Sequence, residues 1–397
     1  MYQIRQFVLK VASRCNLNCS YCYVYNKGDA TWRQRPALMS DAVFAASLQR
    51  IKDYCASNGL SSVSIGFHGG EPCLIGPAKL DEWCKTLHRS LCGIDLHITI
   101  QTNATLLNDR WIDVITRNGL EVGVSLDGSA SEHNENRPDH KGRPTHQKTM
   151  RGIAILRKAN IRFGVICVIP LHADPVAVHR YLLQTGASEV SYLFPDHTHE
   201  TPPHLESGQT PCADFLLKIL GEWLGSGGQG PKLSDLSNMC RVVMGGESRH
   251  EMIGNNLPGY LFIETDGSLG GLDVLSICEP GLPGLERSVF DGPFEDIDAA
   301  RFEGLKAAIF GQPTPSACQN CVESRTCAGG HLPHRYSRRN GFDNPSVWCG
   351  DLLKLFRHIR SALGVDHDET ERLRAQHSRL DQAAAAGGQA RRPMLLT

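Results

Sequence analysis

The sequence has almost no net charge: 41 basic residues stand against 42 acidic ones, for a formal charge of −1 at pH 7. Nucleic acids and anionic membranes attract proteins through fields of one sign, so the balance removes the electrostatic case for either partner, and neither is expected. Long apolar runs are missing too. No stretch reaches the roughly 18 uninterrupted apolar residues of a membrane span. The opening MYQIRQFVLKVASRC lacks an apolar signal core and a small-residue cleavage site, which predicts a cytoplasmic protein with reduced thiols.

What the chain does have is cysteine, fifteen in 397 residues. A disulfide framework belongs to short secreted domains, and this chain is neither short nor equipped for export. In a reducing compartment, clustered cysteines are metal ligands or catalytic groups, while scattered ones serve as small buried hydrophobes. The length admits one large barrel or two modest domains.

Short β-branched runs at 7–12, 63–67, 97–102, 121–126, 162–169 and 189–194 read as strands. Helical patterns at 41–56, 79–91, 109–117, 149–159 and 176–183 separate them. Repeated βα units with right-handed crossovers predict a parallel sheet closing into a partial barrel; a doubly wound open sheet fits the same periodicity. GSGGQG at 225–230 ends the rhythm as a linker, a hairpin is expected around 260–269, and QAAAAGGQARRP from 382 reads as a disordered tail. The chain therefore divides into a barrel over 1–228, a cysteine-bearing domain over 229–365, and a C-terminal helix and tail over 366–397.

Directly after the first strand, SRCNLNCSYCYVYN sets Cys15, Cys19 and Cys22 in a C-x3-C-x2-C spacing, on the face where βα barrels place their active sites. Three thiolates can hold three irons of a [4Fe-4S] cluster and leave the fourth open to a ligand; half of a zinc site completed elsewhere is the bland alternative. The second group, Cys318, Cys321, Cys327 and Cys349, supplies four ligands for a closed site. Its spacing fits zinc or a [4Fe-4S] cluster equally.

With Tyr21 between its last two cysteines, CNLNCSYC resembles the signature of the radical S-adenosylmethionine (SAM) superfamily. HGGEP (Gly69, Gly70, Glu71) resembles the family motif whose backbone meets the amino end of SAM. QTNATLL resembles another, carrying Asn103 and placing Ala104 where glycine is usual. Ser125 in SLDG and Arg137 match the polar pair that contacts the SAM ribose and carboxylate, and Leu193 the position packed on the adenine. The resemblance implies an α/β fold, a partial (β/α)6 TIM barrel, with [4Fe-4S] and SAM as cofactors.

The second cysteine group resembles the SPASM extension of radical SAM peptide maturases, which implies one auxiliary [4Fe-4S] cluster in a C-terminal SPASM-like domain. Where that extension supplies cysteines for a second auxiliary cluster, this chain has Leu272 and His331. Asp273 matches the proposed substrate-side base of sulfatase-maturing enzymes; a solvated carboxylate on the hairpin is the alternative. The runs CYVYNKGDATWRQRP and CAGGHLPHRY resemble maturases that crosslink ribosomal precursor peptides, including three-residue cyclophane synthases. That implies a precursor-peptide substrate and an electron donor such as flavodoxin or ferredoxin. Formylglycine-forming or thioether-forming maturation is the enzymatic alternative, and a zinc-binding interaction protein the non-enzymatic one. The His-rich stretches HNENRPDHKGRPTH and PDHTHETPPH are expected to be solvated surface, and Cys240 and Cys278 ordinary thiols.

Overall fold

The computed structural model describes residues 3–253, 259–295 and 313–386. Strand β1 (Gln6–Ala12) is buried along its whole length, as an inner strand covered on both faces must be. Strands β2 (Ser62–Gly69), β3 (Asp95–Thr102), β4 (Glu121–Ser125), β5 (Phe163–Val168) and β6 (Glu189–Leu193) follow beside it, each parallel to the one before. Between them run α1 (Asp41–Ser57), α2 (Pro77–Ser90), α3 (Asp109–Asn118), α4 (Ala130–Asn136), α5 (His146–Lys158) and α6 (Pro175–Gln184). Ser40, Asn108 and Asp174 cap α1, α3 and α6 by accepting from backbone N–H groups three residues on, and Pro175 starts α6 where a missing N–H costs nothing.

The sheet extends past these six strands at both ends, in the order β10-β9-β8-β1-β2-β3-β4-β5-β6-β7. Beyond the GSGGQG linker, β7 (Lys232–Leu233) lies parallel on β6. On the other side β8 (Tyr260–Ile263) lies parallel on the free edge of β1, and β9 (Ser268–Gly270) turns back on β8 as the expected hairpin. β10 (Gly284–Ser288) completes the row, and among the described residues it does not pair with β7, so the barrel stays partial. One sheet thus crosses residue 228.

Helices α7 (Pro211–Gly225) and α8 (Ser234–Val243) pack against α9 (Cys349–Leu363), which begins at the last cysteine of the second group; α10 (His367–Ala386) follows. Arg360 on α9 grips Glu323 with two charge-assisted bonds, at 2.7 and 2.9 Å, and donates to Thr370 of α10 at 2.6 Å. The main core runs under the sheet, with Trp83, Trp111 and Trp348 fully enclosed.

The first His-rich stretch departs from expectation. Only His140 sits in solvent, while His133 and His146 are buried under α4 and α5, because those helices fold their histidines back onto each other, rings 5.6 Å apart. The first residues of the expected tail, 382–386, instead continue the last helix, and the rest lies outside the described residues. No helix among the described residues is long and apolar enough to cross a membrane.

Candidate active site

The loop leaving β1 carries Cys15, Cys19 and Cys22, all with free thiols. It folds tightly: the Cys22 N–H donates to the Cys19 carbonyl at 3.1 Å, and the Leu17 N–H donates to Cys15 Sγ at 3.4 Å. Burial pushes the Cys15 thiol up to about 12, with the Glu71 carboxylate and the two neighbouring cysteines adding to it. Cys19 and Cys22 are raised for the same first reason. Three neighbouring thiols, Cys19 buried and Cys15 and Cys22 partly buried, near enough for their charges to disfavour ionisation at Cys15, form a donor set that a soft, iron-bearing cation suits.

The end of β2 presses against this loop. A Cβ on Gly69, whose φ is +132°, would collide with the Ala12 carbonyl, and one on Gly70 would collide with the Tyr25 hydroxyl and the Arg14 carbonyl. That closeness lets the Gly70 N–H donate to Ala12 at 2.8 Å and the Glu71 N–H to Arg14 at 3.0 Å. The Glu71 carboxylate is buried and accepts from the Cys73 N–H, the Thr102 hydroxyl and the Asn103 N–H at 3.0, 2.6 and 2.8 Å. Burial raises its pKa while those three donors oppose the rise. Glu71 therefore clasps β2 to β3. Asn103 reaches from β3 to Asn16 at 2.9 Å, and toward Cys15 Sγ at 4.0 Å. Ala104 keeps the turn by taking a left-handed φ of +60°, which a glycine would adopt without cost.

On the next strands, Ser125 accepts from Gln101 at 2.9 Å, and Leu193 stands half-buried at the end of β6. The Arg137 guanidinium donates to the Tyr21 hydroxyl at 2.6 Å and lies 3.9 Å from Asp127, to which Tyr21 donates in turn. The Tyr21 hydroxyl is thus committed inside the protein. Arg137 Nε is buried without any partner, and an unpaired guanidinium nitrogen at this depth awaits an anion.

Asp273 is not a solvated hairpin carboxylate. It is buried, with its Oδ2 accepting from Lys10 Nζ at 2.8 Å and from the Tyr23 hydroxyl at 2.9 Å. Burial alone would depress the Lys10 ammonium, yet Asp273 and Glu264 carry its pKa above the ordinary value. A cavity brings Asp273, Lys10 and Glu264 to the same space as Gly69, Gly70 and Trp32. Farther along, Cys318, Cys321, Cys327 and Cys349 all line a second, smaller cavity. Cys327 is pushed up to about 12 by burial and by the other three thiols, so this donor set fits a four-ligand metal centre.

Residues 9–177 match the family model described as the radical SAM superfamily. The chain carries a radical SAM domain. Such a domain uses a [4Fe-4S] cluster and SAM, and the three free thiols, the unpaired Arg137 Nε and the side-chain-free Gly69–Gly70 turn fit that pair of groups. The chain is 22% identical over 355 residues to the cysteine-type anaerobic sulfatase-maturating enzyme of Clostridium perfringens, covering 87% of this chain and 94% of the relative. It is 26% identical over 369 residues to the serine-type anaerobic sulfatase-maturating enzyme of Klebsiella aerogenes, covering 89% and 84%. Among solved structures, native anSMEcpe with bound AdoMet superposes with a TM-score of 0.76 at 20% identity, over 90% of this chain and 98% of that one. Streptococcus suis SuiB bound to precursor peptide SuiA gives 0.57 at 14% identity, over 84% and 73%. At these identities the structural likenesses speak to the fold.

The residues do not fit a second auxiliary cluster. Leu272 is buried with Val274, Leu275 and Leu332, and His331 offers an imidazole in place of a thiolate. Sequence reasoning missed Lys10, Tyr23, Asp127 and Glu264. Lys10 left one signal, as the single charge in the otherwise apolar and polar-neutral strand QFVLKVA; the partners of the others lie far away in the chain.

Proposed function

We propose that this radical SAM domain takes a hydrogen atom from a side-chain carbon of a ribosomally made precursor peptide and closes an intramolecular crosslink from an aromatic ring carbon to a β-carbon, giving a cyclophane. The observation that carries the reading is the shared cavity, where a buried carboxylate, Asp273, faces the same space as the Gly69–Gly70 turn. When bound, the cluster and SAM supply one electron and a 5′-deoxyadenosyl radical able to attack an unactivated C–H bond.

The chain's own residues divide the remaining work. Cys15, Cys19 and Cys22 hold the cluster, the Gly69 and Gly70 backbone and Ser125 orient SAM, and Arg137 Nε is placed for its carboxylate. Leu193 offers an apolar surface to the adenine, and Glu71, Asn103 and Tyr21 fix the surrounding loops. Joining the two carbons removes two hydrogens, one as an atom and one as a proton with an electron. Lys10 and Tyr23 both meet Asp273 at Oδ2, which among the described residues leaves Oδ1 to receive the proton as the ring regains aromaticity. Cys318, Cys321, Cys327 and Cys349 hold an auxiliary [4Fe-4S] cluster, whose chemistry there is electron acceptance. A flavodoxin or ferredoxin supplies the initial electron.

Oxidation of a cysteine or serine to formylglycine is the second reading, favoured by the likeness to sulfatase-maturating relatives over nearly the full chain. The positions held by Leu272 and His331 weigh against it, since the extension of those enzymes supplies cysteines there. The test is to incubate the reconstituted enzyme with a short peptide encoded beside its gene, SAM and dithionite. A product two hydrogens lighter, with an aromatic-to-β-carbon bond in tandem mass spectra, is expected. An unchanged-mass epimer, or an aldehyde that captures a hydrazide, overturns the crosslink. A colourless, zinc-loaded protein overturns the enzymatic reading altogether.

A further inference from the structure

His331 stands where the SPASM extension would place a cluster cysteine, and the structure gives it a different company. Residues Leu332–Arg335 form a single 3-10 turn with His331 at its N-cap, and the His334 N–H donates to the His331 carbonyl at 3.1 Å, which closes the turn. His331 and His334 therefore project together, with rings 4.9 Å apart at 82°. Both are buried, at 4% and 1% exposure, where two unpartnered imidazoles would be costly. From the loop after β6, Asp196 reaches in, its Oδ1 lying 3.2 Å from His334 Nε2. One ligand atom from each of Asp196, His331 and His334 lies within 4.8 Å of the other two.

We propose that Asp196, His331 and His334 bind a single divalent zinc ion in the space the second auxiliary cluster would otherwise occupy. Two imidazoles and a carboxylate are borderline-hard ligands, suited to zinc and unsuited to an iron-sulfur cluster built on thiolates. The outer contacts support it. His331 Nδ1 lies 3.3 Å from the Glu251 carbonyl, so one nitrogen is oriented by backbone while Nε2 is left to the metal, the arrangement usual for zinc-bound histidine. Burial holds His334 neutral, its pKa lowered to about 4. Zinc bonds of about 2.0–2.1 Å set tetrahedral ligand atoms about 3.4 Å apart, so from separations within 4.8 Å the three groups need to close by up to about 1.4 Å. Three protein ligands leave a fourth position for water; Cys278 stands next to the site, its thiol raised first by burial and then by Asp196. The ion would pin the loop after β6 to the segment between Cys327 and Cys349.

Zinc and iron measured together by mass spectrometry on anaerobically purified, zinc-supplemented holoenzyme test this. About one zinc per chain is expected, falling about tenfold in His331→Ala and His334→Ala with iron unchanged, and persisting in Cys318→Ser. Asp196→Asn, altering a half-buried side chain, carries the same test if the buried imidazoles prove necessary for folding. Three results overturn the proposal: zinc below about a tenth of an equivalent; zinc that ignores the histidine and aspartate substitutions but leaves with Cys318→Ser, which places it among the cysteines; or about twelve irons per chain, four of them lost in His331→Ala, which restores a second cluster.

Discussion

Asp273 meets a cation, a phenol and a cavity, and each does something different to it. Lys10 neutralises it, Tyr23 holds it in place, and the cavity sets it in the same space as the Gly69–Gly70 turn. Asp273→Asn keeps the shape but removes the proposed proton acceptor. SAM cleavage to 5′-deoxyadenosine should continue, while crosslinked product falls by about a hundredfold or more, as read by chromatography of both products from one reaction. Lys10→Ala tests the other half of the pair. It leaves the buried Asp273 carboxylate without its cation, while the partly buried Glu264 keeps Arg35, and should cost about 3–5 kcal/mol in a denaturant titration. His133 gives a residue-scale pH signature. Burial first, then the Arg137 charge, lower its pKa to about 2, well below the roughly 6.5 of an unfolded chain. The neutral ring therefore contributes its full stability above about pH 6.5 and loses it progressively as the pH falls from there toward 2. Each bound proton steepens the dependence by up to about 1.4 kcal/mol per pH unit, so His133→Gln should flatten the melting-temperature profile between pH 7 and pH 5.

At the scale of elements, the site depends on strand ends that are almost in contact. Gly70 is where β2 meets the cysteine loop, and Gly70→Ala drives a methyl group into Tyr25 and the Arg14 carbonyl. The loop must then retreat. The expected result is loss of about half the bound iron, from the first cysteine group only, seen in iron assays and electron paramagnetic resonance of the reduced protein. The strands themselves were legible in the sequence because the period of burial is local. β5 alternates buried and half-buried residues one by one, and β1 is an unbroken buried run. The cysteine spacings and the GGEP turn were legible for the same reason. Contacts between distant segments were not: Lys10 meets Asp273 from 263 positions away, and nothing in either neighbourhood names the other. Likewise His133 and His146 read as loop histidines, since their burial comes from how α4 and α5 fold back together.

For the whole molecule, the ten-stranded sheet makes the two halves of the chain one structure. β1 has β2 on one side and β8 on the other, and a small cluster of Val8, Tyr260 and Phe262 covers that junction. A fragment ending at residue 228 would expose the apolar edge of β1, and an open edge of that kind recruits other chains. The fragment should aggregate or elute as large oligomers in size-exclusion chromatography, where the full chain does not. The same pairing dictates an order of events during synthesis. The strand that launches the cysteine loop leaves the ribosome early, but its neighbour β8 appears roughly 250 residues later, about ten to fifty seconds at ordinary elongation rates. Throughout that interval the three cysteines hang from a strand with one bare side. Metal delivered before Ile263 has emerged meets an unfinished cradle, so the strand that carries the cysteine loop gains its second neighbour only from the C-terminal half of the chain.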